Sequence, residues 1–320
     1  MIKNKIIIPK GIKIGSACDD YTGVTVIKCD KGCVGGVDVR GGAPGTRETD
    51  LLRPDKAMQN INAVVLSGGS AYGLASTIGV MEYMRKRGIG YKIAGKVVPI
   101  VCGAVIFDLN DKEYHYPDAA MGEAACAAAD TSLPSFGNTG AGKGATIGKI
   151  RGLKYASKGG LGAATSKVAG ITVTAVVAVN SFGDVTDGKG NIIAGAKGKD
   201  GAFINTAECI TQGKWLKLLT GKGGNTTIGC IITDAKLNKV EANKLASFTH
   251  NAFACHISPV HTDYDGDTVF VMATGDKKPL DFIAVQLAAK EAMGNAIVNA
   301  ALSCAEYEII GDFISEEQED

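Results

Sequence analysis

The chain has 320 residues, 45% hydrophobic and 21% charged, so it can bury a large core in one or two domains. Its 34 basic and 33 acidic side chains leave a formal charge of +1, which gives no chain-wide basic field for nucleic acid. The first ten residues hold only a three-isoleucine run between lysines, and no later stretch reaches the roughly 18 apolar residues of a membrane span, so a cytoplasmic protein with no membrane partner is expected.

In chain order, short β-branched runs bounded by Gly, Asp or Ser predict strands at 24–28, 34–39 and 63–66. A helix follows over 71–86, with Leu74, Ile78, Met81 and Met84 near one stripe, Ser70 as its N-cap and Gly88 as its stop. A helix of small residues is expected at 119–129. Residues 171–179 are almost purely β-branched or Ala, the composition of a strand covered on both faces. From 182 to 224 the chain is polar and glycine-rich, interrupted by Trp215-Leu216-Lys217-Leu218-Leu219, and a mobile loop or processing site is expected there. Regular patterning returns with a strand at 227–233, a helix at 237–254, a Pro/His/Asp loop, a strand at 268–273 and a helix at 280–301. The acidic end, 315–320, is expected to be disordered. Strands and helices mixed in this way indicate a layered α/β or α+β fold, read as one domain.

Several motifs are tempting and fail on chemistry. Gly137 to Lys143 match a phosphate loop, but Gly144 stands where Ser or Thr would hold magnesium, and 132–136 make a poor preceding strand. Ser67-Gly68-Gly69-Ser70 resembles a strand–turn–helix anion loop, yet its glycine spacing does not fit a hydrolase elbow. The nine cysteines lie mostly in apolar settings and read as reduced core residues; Cys29 and Cys33 have no second pair, and His115, His250, His256 and His261 are scattered. No metal and no cofactor are expected. His250 and His256 read as surface or partly buried.

Two segments carry chemistry. In Gly223-Gly224-Asn225-Thr226-Thr227-Ile228-Gly229 a flexible approach ends where a β-branched run begins. Were the bond before Thr226 cut, one residue would hold both a hydroxyl nucleophile and an α-amine base, which titrates at roughly 7.7–8.0. In His261-Thr262-Asp263-Tyr264-Asp265-Gly266-Asp267-Thr268, Gly266 lets the backbone turn so that two carboxylates converge at a strand end. Such a pair can move protons; it also fits a solvated turn or a weak cation site.

Together these segments resemble one family, the self-processing aminopeptidases, which include L-aminopeptidase/D-esterases, β-peptidyl aminopeptidases and nylon-oligomer hydrolases. The likeness runs through Gly23-Val24-Thr25-Val26-Ile27, Gly41 to Thr49, Leu66 to Leu74, Val98 to Val101, Gly137-Asn138, Gly140 to Gly142, Lys158 to Gly162, Val179-Asn180, Asn225 to Gly229 and Asp265 to Thr268, in the family's order.

The resemblance implies an α+β fold, a four-layer αββα sandwich of N-terminal-nucleophile type. It also implies a precursor that cuts itself between Asn225 and Thr226 into residues 1–225 and 226–320. It places the nucleophile on Thr226, the acidic pair on Asp265 and Asp267, an oxyanion-type Asn on Asn180 and a structural and catalytic Lys on Lys158. Relatives of the β-aminopeptidase type carry Ser and Glu at the acidic positions, so this chain sides with the Thr/Asp, nylon-hydrolase-like branch. The implied activity is hydrolysis of small peptides or amide oligomers in a cytoplasmic homo-oligomer, commonly a tetramer. Competing readings are acyl transfer to an amine, as in ornithine acetyltransferases, and a non-catalytic relative that stays uncleaved.

Overall fold

A computed structural model describes residues 5–109, 113–129, 135–213, 224–307 and 309. The Trp215–Leu219 run and the acidic 315–320 end lie outside the described residues. The organising element is one long strand. Strand β1 (Ile12–Cys18) pairs with the first part of β2 (Gly23–Val39), which fuses the two strands expected at 24–28 and 34–39 into 17 residues. Its register against β4 (Asn60–Ser67) slips between Lys28 and Cys33, where Gly32 takes a left-handed φ of 76°. Such a bulge bends a strand. Beyond it β2 leaves β4 and pairs with β16 (Thr268–Lys277).

The remaining strands are, in chain order, β3 (Thr46–Arg47), the β5 (Tyr91–Ile93) and β6 (Lys96–Val98) hairpin, β7 (Val101–Val105), the β8 (Thr146–Ile147) and β9 (Ser157–Lys158) pair, β10 (Gly160–Val168), β11 (Ile171–Asn180), β12 (Asp184–Thr186), β13 (Ile192–Ala194), β14 (Thr226–Ala235) and β15 (Ile257–Ser258). The main sheet runs β10-β11-β14-β16-β2-β4-β7-β3, with β1 on β2. Helices α1 (Ser76–Lys86) and α2 (Ala119–Ala128) cover one half. Helices α4 (Lys239–His256) and α5 (Phe282–Leu302) cover the other, and the short α3 (Thr206–Thr211) follows β13.

Side chains of successive strand residues point to opposite faces, and here that alternation sorts the apolar residues into three cores. Val24, Val26, Ala63, Val65 and Val101 pack under Val80, Tyr83 and Met84 of α1 and Ala125 and Cys126 of α2. Their neighbours Ile27, Val64, Leu66 and Cys102 meet Val176, Ala178, Ile228, Cys230, Phe270 and Met272 between the two sheet halves. Val173, Val177, Ile231, Val269 and Val271 face Leu245 and Phe253 of α4 and Ala289, Met293 and Ile297 of α5. The layers are therefore helix, sheet, sheet, helix, the four-layer sandwich expected, with the bend of β2 joining the sheets. All ten residues of β11 and all ten of β14 are buried, as strands covered on both faces should be.

Local differences from the sequence expectation have simple causes. The helix expected over 71–86 opens as a 3-10 turn, Ser70–Ala75, before α1. Gly69 and Ser70 both have left-handed φ, and the Gly69 N–H donates to Asp108 Oδ1 (2.6 Å), so a carboxylate from beyond β7 binds there and Ser70 does not cap. Helix α4 begins with a capping box, Asn238 with Glu241. His250 is fully buried on α4, because its face of the helix lies on β2.

Candidate active site

Strand β14 begins at Thr226. Its antiparallel register with β11 sets Thr226 opposite Asn180, the last residue of that strand. On the other side β14 runs parallel to β16, which is entered through the 261–267 turn. The residue before the nucleophile candidate is held by that turn: Asn225 N–H donates to Tyr264 O (3.2 Å) and Gly266 N–H donates to Asn225 O (2.9 Å). Thr226 is only 4% exposed, and its hydroxyl donates to the same Asn225 carbonyl oxygen. A Cβ on Gly266 would sit 2.7 Å from Thr226 Oγ1 and 2.8 Å from Ala43 O, so only glycine lets the turn approach this closely.

Both carboxylates of the turn are buried and turned inward. Asp267 Oδ1 accepts from Thr227 N–H (2.7 Å), and its Oδ2 accepts from His261 N–H (3.1 Å) and lies 2.8 Å from His261 Nδ1. Asp265 Oδ2 accepts from the N–H (2.8 Å) and Oγ1 (2.6 Å) of Thr262. Burial, then the neighbouring Asp267 charge, push Asp265 up to about 6, against the opposing pull of the Thr262 donors and Lys149.

Asn180 is fully buried, and both ends of its amide are engaged. Oδ1 accepts from Lys149 Nζ (2.8 Å), Thr146 N–H (2.9 Å) and Thr146 Oγ1 (3.2 Å); Nδ2 donates to Phe107 O (2.9 Å). Lys149 Nζ also donates to Asn180 O (2.9 Å), and burial lowers this lysine to about 7, with Asp265, Asp108 and Asp267 pulling the other way. Lys158 is buried elsewhere. Its ammonium donates to the carbonyls of Lys143 (2.7 Å), Ala145 (3.0 Å), Gly142 (3.3 Å) and Gly159 (3.3 Å), tying the 140–145 turn to β9, and burial lowers it to about 8. Asp108 holds Gly69 N–H and Thr22 Oγ1 (2.8 Å), and burial raises it to about 6.

The profile of Peptidase family S58 matches residues 4–315. The chain belongs to peptidase family S58. It is similar to an uncharacterised aminopeptidase of Mycobacterium leprae, 41% identical over 271 residues that cover 82% of this chain and 72% of that one. It is also similar to the 6-aminohexanoate-oligomer endohydrolase of a Kocuria species, 31% identical over 312 residues, 96% of this chain and 83% of that one. Among solved structures, the L-aminopeptidase D-Ala-esterase/amidase from Ochrobactrum anthropi, described as a variant of the Ntn hydrolase fold, superposes with a TM-score of 0.62 over 92% of this chain and 85% of that one at 18% identity.

The family S58 protein is thus a hydrolase of the Ntn-like four-layer fold, as its resemblance implied. No helix among the described residues is long and apolar enough to cross a membrane, and no cluster of three or more His, Cys, Asp or Glu among them is arranged to hold a metal. Of the residues singled out in the sequence, Asn225, Thr226, Asp265, Asp267 and Asn180 converge at the head of β14. Lys158 does not: its hydrogen bonds go to backbone carbonyls, and a different lysine, Lys149, meets Asn180. Sequence reasoning missed Lys149, His261 and Asp108. Lys149 carried one weak signal, its place between Ile147 and Ile150, where a solvated loop cation would have polar neighbours. His261 stood in the singled-out 261–268 segment but was given no role there, and Asp108 carried no signal, since its partners come from 39 and 86 residues away.

Proposed function

We propose that the chain is a self-cleaving amidohydrolase in which Thr226 is first the nucleophile of its own maturation and then of substrate hydrolysis. In the precursor, Thr226 Oγ attacks the Asn225 carbonyl carbon. Its proton passes to a neighbouring base, Asp265 or neutral Lys149, and then to the departing Thr226 nitrogen, giving an ester. Water cleaves the ester to an Asn225 carboxylate and a free Thr226, separating residues 1–225 from 226–320. The observation that carries this reading is the shared oxygen: the Thr226 hydroxyl and the Gly266 N–H both address Asn225 O, so nucleophile and oxyanion donor meet at one peptide.

In turnover the same hydroxyl attacks a substrate amide, an amine leaves with the proton, and water releases the acyl group. Lys149 donates to Asn180, the residue opposite Thr226, and titrates close enough to neutrality to act as base. Asn180 supplies its side-chain N–H to the substrate oxyanion once maturation loosens its bond to Phe107 O. Lys158 fixes the turn beneath.

The substrates proposed are small peptides or amide oligomers, hydrolysed in the cytoplasm by a homo-oligomer, with a tetramer of processed pairs the form the resemblance favours. Intact mass and denaturing electrophoresis test the first step: purified protein gives two fragments cut before Thr226, and Thr226→Ala gives one. Cleavage of Thr226→Ala at the same bond would sink the assignment. A second reading, endo-hydrolysis of linear 6-aminohexanoate oligomers, has the likeness to the Kocuria relative over 96% of this chain in its favour. Amine-blocked oligomers separate the two, because an aminopeptidase needs the free terminus and an endohydrolase does not.

A further inference from the structure

His261 was assigned nothing by its sequence, yet it sits at the centre of the acidic turn. Three N–H groups address Asp267: Thr227 N and His261 N from the backbone, and His261 from its ring at Nδ1 (2.8 Å). Among the described residues, Asp265 has the two Thr262 donors, both on one oxygen. Two carboxylates in one buried turn resist being ionised together, and the donors around the two differ.

The far side of the ring fixes its tautomer. His261 Nε2 is buried and has no hydrogen-bond partner among the described residues, lying between the ring of Phe253, stacked at 5.8 Å, and that of His250, edge-on at 4.8 Å. A charged ring would bury an N–H with no acceptor, whereas a neutral ring with its proton on Nδ1 leaves only a lone pair there. The ionisable groups around it are accounted for: from α4 comes His250, kept neutral by burial that lowers it to about 4. From β2 comes Asp38, which pairs with Arg40 just past the strand end (2.9 Å), and Lys149 interacts electrostatically with both carboxylates.

We infer that His261 is a positioning residue whose ring, donating from Nδ1, holds the Asp267 side chain against the head of β14 and leaves Asp265 as the member of the pair that exchanges protons. The inference rests on the proposed self-cleavage for its consequence, though not for its geometry. Asp267, pinned to the first amide after the nucleophile, is then the fixed acceptor that orients the head of β14. Asp265, once ionised, takes the Thr226 proton during maturation and returns it to the departing nitrogen.

Two measurements test this, and only one needs the precursor to cleave. In the uncleavable Thr226→Ala protein labelled with 15N-histidine, the His261 signals, assigned by their loss in His261→Asn, should show a protonated Nδ1 and a bare Nε2 at neutral pH. The opposite tautomer or a charged ring overturns the inference. In the second, precursor made by cell-free synthesis is moved into buffers of about pH 5 to 8 and self-cleavage is followed. His261→Leu should move the acid limb of the profile up by about one pH unit, because losing the donor raises the proton affinity of the pair. His261→Asn should restore it, since Asn Nδ2 overlays imidazole Nδ1 and Asn tolerates the φ of 57° found here. An unmoved limb in a folded His261→Leu protein, or no rescue by Asn, overturns the positioning role. A wild-type precursor that never cleaves sinks the proposed function, while the nitrogen signals still report on the pair.

Discussion

Lys149 and Lys158 lie nine residues apart, both are buried, and burial lowers both below their ordinary value of 10.5, yet they occupy opposite kinds of site. Lys158 spends its donors on four backbone carbonyls of one turn and its neighbour strand. Lys149 meets Asn180, the residue opposite Thr226, and feels Asp265 and Asp267. A buried ammonium saturated by carbonyls is structural; one whose partners are a strand end and a carboxylate pair has chemistry within reach. Burial alone does not separate the two. The identity of the acceptors does.

The largest effect that sharpens this contrast is at the nucleophile itself. Thr226→Ala should abolish fragment formation and hydrolysis while circular dichroism stays unchanged. Next, Lys149→Met should slow self-cleavage by roughly 10²–10⁴-fold, the range for a lost acid–base group, measured on freshly synthesised precursor at a temperature where the variant is folded. Lys158→Met should do the reverse: cleavage persists, and the melting temperature falls by roughly 4–8 °C because carbonyls lose their donor. Equal cleavage defects in both variants would erase the distinction.

A smaller change is steric. Gly266→Ala forces a methyl against Thr226 Oγ1 and Ala43 O and should slow cleavage by about 10–100-fold, since displacing a reacting group by an ångström can have an effect of that order. The smallest effect is in pH. The folded state lowers Lys158 to about 8 from 10.5, so the unfolded chain holds this proton to higher pH than the folded one does. The stability it contributes therefore grows as pH rises from about 8 toward 10.5 and is lost as pH falls through about 8. The melting-temperature gap between wild type and Lys158→Met should widen across that window, and a constant gap would refute the linkage.

Much of the site was legible because its residues are close in sequence or stand at strand ends. Asn225-Thr226 announced a strand start after a flexible approach, and Asp265-Gly266-Asp267 announced a turn with two carboxylates. Asn180 ended a run that was plainly buried. Lys158 came to the site through the resemblance alone, and its ammonium donates to backbone carbonyls of the 140–145 turn and Gly159. The helix expected from Ser70 starts as a 3-10 turn because Asp108, 39 residues from Gly69, claims its first amide.

The sequence by itself determined the period-2 strands, the apolar helices, and the placing of Thr226 at a strand start and of Asp265 and Asp267 in one turn, because each depends on residues a few positions apart. Only the tertiary structure decided that β2 bends to lay one sheet half over the other, that Lys149 reaches Asn180, and that Asp108 reaches Thr22 and Gly69. Those outcomes depend on burial and on donors brought together from distant segments. Burial sets the charge of a lysine or a carboxyl, and no local pattern encodes it.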